Sequence, residues 1–219
     1  MDEELEYAKE RSWREVAAID AAHERGELDD DGWHTAIAAL VVPAYLRAET
    51  PEGGSGSSRD AAGWEYARSL IADAVEAGQT FLDVGCANGH LMESMARWAR
   101  VEPFGLEISP ELAGLACQRL PQWRDRIWVG NVADWDPPQR FDVVRVSLDY
   151  VPAPRRRHLV ERVLTYAGRL VIGVFNEERE VRSLEDEVAA WGFEISGRSE
   201  RDHPHPRLAY RAFWLDAAG

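Results

Sequence analysis

The chain has 219 residues, of which 45% are hydrophobic and 29% charged, and this composition is typical of a folded globular protein rather than a disordered one. Its net charge of −14 disfavours binding to the phosphates of bulk nucleic acid. The acidic N-terminus does not resemble a signal peptide, and no apolar run is long enough to span a bilayer. The two cysteines make no disulfide framework. We therefore expect a cytoplasmic protein without a membrane partner.

The first part of the chain is predicted to be helical. Apolar residues at helical spacing predict one helix over 3–25 and a second from Trp33 to Tyr45, which Pro43 bends or ends. The stretch TPEGGSGSSRD at 50–60 is flexible by composition. We therefore divide the chain into an N-terminal helical cap, residues 1–58, and a main domain, residues 59–219.

The main domain shows short apolar runs that alternate with helical patterns, which favours parallel strands joined by crossover helices. The segment between the last two runs is too short for a crossover helix, so these two strands should be antiparallel. The predicted fold class is α/β, with a seven-stranded, mostly parallel sheet, an antiparallel last strand, helices on both faces and an N-terminal helical extension. The predicted strands are 80–84, 101–107, 126–130, 141–147, 168–174, 193–199 and 207–215, and the predicted helices are 60–77, 89–99, 109–119, 155–166 and 180–191.

The stretch FLDVGCANGHL at 81–91 places an acid at the end of a buried strand, directly before a glycine turn. Ligands of open parallel sheets bind at the carboxyl ends of the strands. Asp83 offers a carboxylate to a cation, while Gly85 and Gly89 allow close backbone approach and the following helix start offers N–H donors to an anion. An α-amino acid moiety carries both charges.

A dinucleotide would also bind at a glycine turn after a first strand, but the spacing argues against it. The G-x-G-x-x-G pattern falls here on Gly85, Ala87 and His90, so the third glycine is absent. Asp83 would also repel a pyrophosphate.

The motif D-V-G-C-A-N-G, followed by G-L-E-I-S, resembles the class I S-adenosylmethionine (SAM)-dependent methyltransferases over residues 60–215. The resemblance implies a Rossmann-like fold and SAM as cofactor, with S-adenosylhomocysteine (SAH) as its product. It implies that Glu107, at the end of the second strand, binds both ribose hydroxyls, because a carboxylate can accept two O–H groups. It also implies that the methionine part of SAM is lined by Asp83, Gly85, Cys86, Ala87, Asn88 and Gly89.

The adenine side departs from the family pattern at one position. Asn131 stands where the family has an acid, and its side-chain carbonyl can accept the same N–H. Ile108 and Val132 are the further cofactor neighbours that the resemblance implies, and Trp135 could add stacking. Ala87 replaces a middle glycine, and alanine is small enough to keep the turn if its φ is negative.

The acceptor side is predicted from the ends of the later strands. By the resemblance, Ser147 and Leu148 pass near the sulfonium. Arg145 is buried by position and needs a partner, which Asp83, Glu107 or a carboxylate-bearing substrate could supply. The residues predicted to face the acceptor are Asp149, Tyr150, His203 and His205 as catalytic groups, and Tyr45, Trp64 and Asn176 as substrate-binding groups.

The histidine prediction requires a sixth strand parallel to the first five, and an Asp-His-x-His cluster without further ligands predicts no metal site. The sequence thus predicts transfer of a methyl group to an O or N atom of a small-molecule acceptor, by a monomer or homodimer. The alternatives are an RNA or protein methyltransferase and a non-catalytic SAM-binding protein. The N-P-P-Y signature for amino groups of planar bases is absent after the fourth strand. The N-terminal helices are predicted to form a lid hinged at residues 53–58.

Overall fold

The computed structural model describes residues 3–56, 60–180 and 182–217. Seven α-helices and seven strands lie in this part of the chain. The helices are α1 (Glu3–Glu24), α2 (Asp30–Leu46), α3 (Ala61–Arg68), α4 (His90–Trp98), α5 (Pro110–Arg119), α6 (Arg156–Leu164) and α7 (Ser183–Ala190). The strands are β1 (Thr80–Val84), β2 (Glu102–Glu107), β3 (Ile127–Val129), β4 (Phe141–Val146), β5 (Ala167–Glu178), β6 (Gly197–Asp202) and β7 (Leu208–Asp216).

The seven strands form one sheet in the order β3-β2-β1-β4-β5-β7-β6. Strands β1 to β5 pair in parallel, whereas β7 is antiparallel to both of its neighbours. The predicted fold class is confirmed, including the antiparallel last strand. Because β6 is antiparallel to β7, it runs in the same direction as the first five strands. The strand order reverses between β1 and β4, which is the point where such sheets bind ligands.

Three of the predicted elements differ most from the structure in their boundaries. The α-helix predicted over 60–77 ends at Arg68 and continues as a 3₁₀ turn over Ser69–Ala74, which buries Leu70 and Ile71 against the sheet. Strand β5 continues to Glu178 because it pairs with the long strand β7. Strand β6 begins at Gly197 rather than at 193, since the apolar residues at 193–196 pack against the core without joining the ladder.

Two hydrophobic clusters cover the two faces of the sheet. Leu82, Val144 and Leu170 point to the face that α6 and α7 cover. Phe81, Val143 and Val171 point to the opposite face, which α3, the 3₁₀ turn and α4 cover. Side chains alternate along a strand, so the residues two positions further on this second face lie at the carboxyl rim. There the buried residues change from apolar to Asp83 and Arg145.

The N-terminal helices pack on each other and on this rim. Asp29 caps α2, and Trp33 of α2 donates from Nε1 to Asp20 of α1 over 2.8 Å. Helix α2 runs through Pro43 to Leu46, so the proline does not end it. Of the helices described, none is long and apolar enough to cross a membrane.

Candidate functional site

The turn after β1 is held in a left-handed conformation. Gly85 and Gly89 have φ of +69° and +76°, and the N–H groups of Gly85 and Cys86 donate to the carbonyl of Leu106 in β2. The condition of a negative φ at Ala87 is not met, since its φ is +48°. A left-handed alanine costs about 1–2 kcal/mol. The N–H of Ala87 donates to Glu107 over 2.8 Å, and this bond holds the turn.

Glu107 joins the glycine turn to the end of β2. One carboxylate oxygen accepts from the N–H of Ala87, and the other accepts from the N–H of Ser109 over 3.0 Å. Burial raises the pKa of this carboxyl, while the N–H donors oppose that shift. Each oxygen keeps a second lone pair, so the carboxylate can still accept two hydroxyl groups.

Asp83 and Arg145 are neighbours across the β1–β4 pair, and the structure selects Asp83 among the partners expected for Arg145. Their shortest contact joins Nη1 and Oδ1 at 3.4 Å, and both side chains are buried. The same Nη1 also donates to the Tyr150 hydroxyl over 2.9 Å. Burial raises the pKa of Asp83 to about 7, because one long contact with Arg145 does not replace the lost water.

Tyr150 lies directly against the glycine turn. A Cβ at Gly85 would stand 2.7 Å from Cζ of the Tyr150 ring, so only glycine leaves room for it. Burial raises the pKa of the Tyr150 phenol, against the effect of Arg145. Asp149, in contrast, is exposed and pairs with Arg156 over 3.0 Å. Of the two predicted catalytic neighbours, only Tyr150 faces the rim.

The other residues of this segment have structural contacts. The Ser147 hydroxyl accepts from the N–H of Asp149, and Leu148 is fully buried in the core. Leu148 therefore offers its backbone rather than its side chain to a ligand.

The predicted adenine side lies at the ends of β2 and β3. Ile108, beside Glu107, exposes 38% of its surface and presents an apolar face at the rim. The Asn131 side-chain oxygen accepts from the N–H of Ala133 over 3.0 Å and retains one lone pair. Val132 is buried in the core, and Trp135 packs against two other aromatic rings, those of Trp128 and Tyr166.

The N-terminal segment covers this rim at two points. His34 of α2 is buried, and its Nε2 lies 3.1 Å from the carbonyl oxygen of Tyr150. Asn88 in the glycine turn donates to the carbonyl of Pro51 over 2.8 Å. Tyr45 lies beneath this cover, and burial raises its pKa to about 12. The expected hinge at 53–58 falls partly on residues 57–59, which lie outside the described residues.

The remaining predicted residues belong to α3, to β5 and to the turn between β6 and β7. Trp64 is 2% exposed and packs against His90, with ring centroids 4.1 Å apart. Asn176 belongs to β5, and its side chain lies outside the described residues. His203 and His205 stand at the same rim, as the direction of β6 requires. Because β7 and β6 lie three and four strands from β1, the two histidines are about 14–19 Å from β1 at a strand spacing of ~4.8 Å. The Nδ1 atoms of both histidines accept N–H groups within the turn.

One residue at the rim was not predicted as a site residue. Arg68, at the end of α3, places its guanidinium 3.5 Å from the ring centroid of Phe175, at the end of β5. The available signal was its spacing, because Arg68 follows the buried Trp64 by one helical turn and so lies on the apolar face of α3.

Comparisons with known proteins relate part of the chain to a protein family. Residues 81–167 match the family model described as a methyltransferase domain. No curated protein sequence matches the chain.

Solved structures share the fold at low identity. The N-methyltransferase NodS from Bradyrhizobium japonicum WM9 is 16% identical, covers 73% of this chain and 99% of its own, and has a TM-score of 0.58. The magnesium protoporphyrin IX methyltransferase ChlM from Synechocystis PCC 6803, solved with SAM, is 16% identical over 87% of this chain and 98% of its own, with a TM-score of 0.57. Sp1610 from Streptococcus pneumoniae, a proposed tRNA (m1A22) methyltransferase, is 18% identical over 68% of each chain, with a TM-score of 0.52.

Proposed function

We propose that the chain, which matches a methyltransferase domain over residues 81–167, uses SAM as its methyl donor and methylates an O or N atom of a small-molecule acceptor. The observation that carries the proposal is the covered rim. Helix α2 is joined to the Tyr150 segment through His34, and the segment around Pro51 is joined to the glycine turn through Asn88. An enclosed transfer site suits a small acceptor better than a folded RNA or protein surface.

The residues present fit the cofactor. Asp83 would hold the ammonium group, Glu107 the ribose hydroxyls, and Asn131 the adenine amino group, while Ile108 would support the ring. SAM supplies a methyl group that its sulfonium already activates. The task of the chain is therefore to align the acceptor with the S–CH₃ bond and to exclude water.

Tyr150 is the residue we propose to face the acceptor. Its hydroxyl oxygen accepts from Arg145, so its O–H hydrogen is free to donate to an acceptor atom. Burial keeps the phenol neutral, which favours a positioning role over that of a general base. Asp149 lies outside this arrangement because Arg156 holds it at the exposed surface. We place the reaction in the cytoplasm, where the two free cysteines would stay reduced.

Calorimetry with SAM and SAH tests cofactor binding, and an acceptor screen that measures SAH release tests catalysis. Asp83→Ala and Glu107→Ala should each weaken binding by about 1.5–3 kcal/mol, the range for hydrogen bonds to charged groups. Glu102→Ala is the matched control, because Glu102 is an exposed acid on the same strand as Glu107. Equal affinity of all variants would contradict the assigned cofactor site.

The alternatives give different results in the same screen. Methylation of bulk RNA or of protein, with no turnover of small molecules, would support a macromolecular acceptor instead. The net charge of −14 argues against RNA, since long-range repulsion would have to be overcome. Tight SAM binding without SAH release from any acceptor pool would support a non-catalytic SAM-binding protein.

A further inference from the structure

We infer that Tyr150 holds the cofactor site closed by an autoinhibitory contact, so that its ring must leave Gly85 before SAM or SAH binds. The inference rests on the proposed function, and it adds how access to that site is controlled. Tyr150 ends the 3₁₀ turn Leu148–Tyr150, which directly follows β4 at the point where the strand order of the sheet reverses.

The Tyr150 ring takes up the close approach that Gly85 makes possible. A Cβ at Gly85 would stand 2.7 Å from Cζ, 2.8 Å from Cε2 and 2.9 Å from the hydroxyl oxygen of Tyr150. The edge of the ring therefore lies on the backbone of the glycine turn. The sequence predicts that a ligand comes close to this same backbone. Two groups cannot share one contact surface, so a ligand that reaches Gly85 on this side displaces the ring.

The Tyr150 side chain also lies among the groups assigned to the two ends of the cofactor. Its hydroxyl oxygen accepts from Nη1 of Arg145 over 2.9 Å, and the same nitrogen contacts Asp83. Burial raises the pKa of the Tyr150 phenol, and three charged side chains also affect it, those of Arg145, Asp83 and Glu107. Asp83 is assigned to the ammonium group and Glu107 to the ribose. The ring therefore lies on the path between the two ends of the cofactor.

The polar groups assigned to the cofactor are covered by protein atoms. Asp83 and Asn88 are each 2% exposed, and Glu107 is 5% exposed. A cofactor that contacts all three groups requires the covering side chains to move first. The ring on Gly85 is one such cover, and the segment around Pro51, which accepts from Asn88, is another.

The N-terminal helices hold the Tyr150 turn in place. Nε2 of His34 lies 3.1 Å from the Tyr150 carbonyl oxygen, and Nδ1 of the same ring lies 2.7 Å from the Asp30 carbonyl oxygen. His34 is thus fixed between its own helix α2 and the Tyr150 turn. Burial, and then the neighbouring Tyr150, raise the pKa of Tyr45 to about 12, so a second phenol of α2 stands beside the first. Movement of the ring is therefore coupled to the cover that α2 provides.

This contact has consequences for binding that can be measured. If only the open form binds cofactor, the apparent affinity is reduced by the fraction of molecules that are open. The rate of binding at high ligand concentration is then limited by the opening step. The role proposed for Tyr150 beside the acceptor belongs to the open form, after the cofactor has taken the place of the ring.

The test measures the rate of SAH binding against SAH concentration by stopped-flow tryptophan fluorescence. The wild-type rate should level off at high concentration. Tyr150→Ala removes the ring, so its rate should rise without a plateau, and calorimetry should show several-fold tighter binding. Tyr150→Phe keeps the ring but loses the bond to Arg145, so its plateau rate should rise about tenfold. Tyr66→Ala is the matched control, because Tyr66 is an exposed tyrosine of α3, and it should keep the wild-type plateau.

Each contrary outcome overturns the inference. It fails if the wild-type rate rises in proportion to SAH concentration throughout, if Tyr150→Ala keeps the plateau, or if Tyr66→Ala abolishes the plateau as well. It also fails if Tyr150→Ala binds SAH no more tightly than the wild type, because the ring would then not compete with the cofactor. In all these cases the protein binds SAH and the proposed function stands. If neither the wild type nor Tyr150→Ala binds SAH, the proposed function itself fails.

Discussion

Replacing Asp83 by asparagine should change the pH dependence of stability in a direction that the structure determines. Asp83 is 2% exposed, and its one contact with Arg145, at 3.4 Å, is longer than a strong charge-assisted bond. Burial therefore raises its pKa from 3.8 to about 7 in the folded state. Between these values the folded protein holds a proton that the unfolded chain has released, so a rise in pH favours unfolding.

The magnitude follows from the size of the shift. Each pKa unit corresponds to about 1.4 kcal/mol, so stability should fall by about 2 kcal/mol from pH 5 to pH 7 through this one group. The neutral Asp83→Asn variant lacks this loss. Its free energy of unfolding, relative to that of the wild type, should therefore rise by about 2 kcal/mol between pH 5 and pH 7. The difference between the two proteins isolates Asp83, because every other titrating group is common to both.

The assay is urea unfolding of both proteins, without cofactor, at several pH values between 5 and 8. A constant difference in unfolding free energy would refute the raised pKa. If the wild type instead became more stable relative to the variant as the pH rises, the ion pair with Arg145 would outweigh the effect of burial on Asp83.

Three further predictions concern the rim. Glu107→Gln should weaken SAH binding at least tenfold by calorimetry, whereas the exposed control Glu102→Gln should not change it. Gly85→Ala combines a φ of +69° with a Cβ 2.7 Å from the Tyr150 ring. It should therefore lower the unfolding free energy by about 2 kcal/mol or more and also lower SAH affinity. A melting temperature equal to that of the wild type would contradict the contact. His34→Ala removes the contact of α2 with the Tyr150 carbonyl. If α2 covers the site, the association rate of SAH, measured by stopped-flow tryptophan fluorescence, should become several-fold faster. An unchanged association rate would contradict a lid.

The positions of Asp83 and Glu107 were predictable because each is the last acid of a strand before a turn. The polarity pattern of a strand is local, and it indicates where the strand ends. The two glycines of the turn were predictable for the same reason, since left-handed backbone favours glycine. Ala87 shows the limit of this reasoning, because its positive φ depends on a hydrogen bond to Glu107 from another strand.

The sequence by itself determined the order of strands and helices along the chain, the antiparallel last strand and the two acids at strand ends. These features follow from hydrophobic periodicity and turn residues, which are local properties of the chain. Only the tertiary structure decided that Arg145 pairs with Asp83, 62 residues away, since that contact depends on the register between β1 and β4. Tertiary packing also placed Tyr150 on Gly85 and Arg68 on Phe175. These contacts join segments whose relative positions no local pattern encodes.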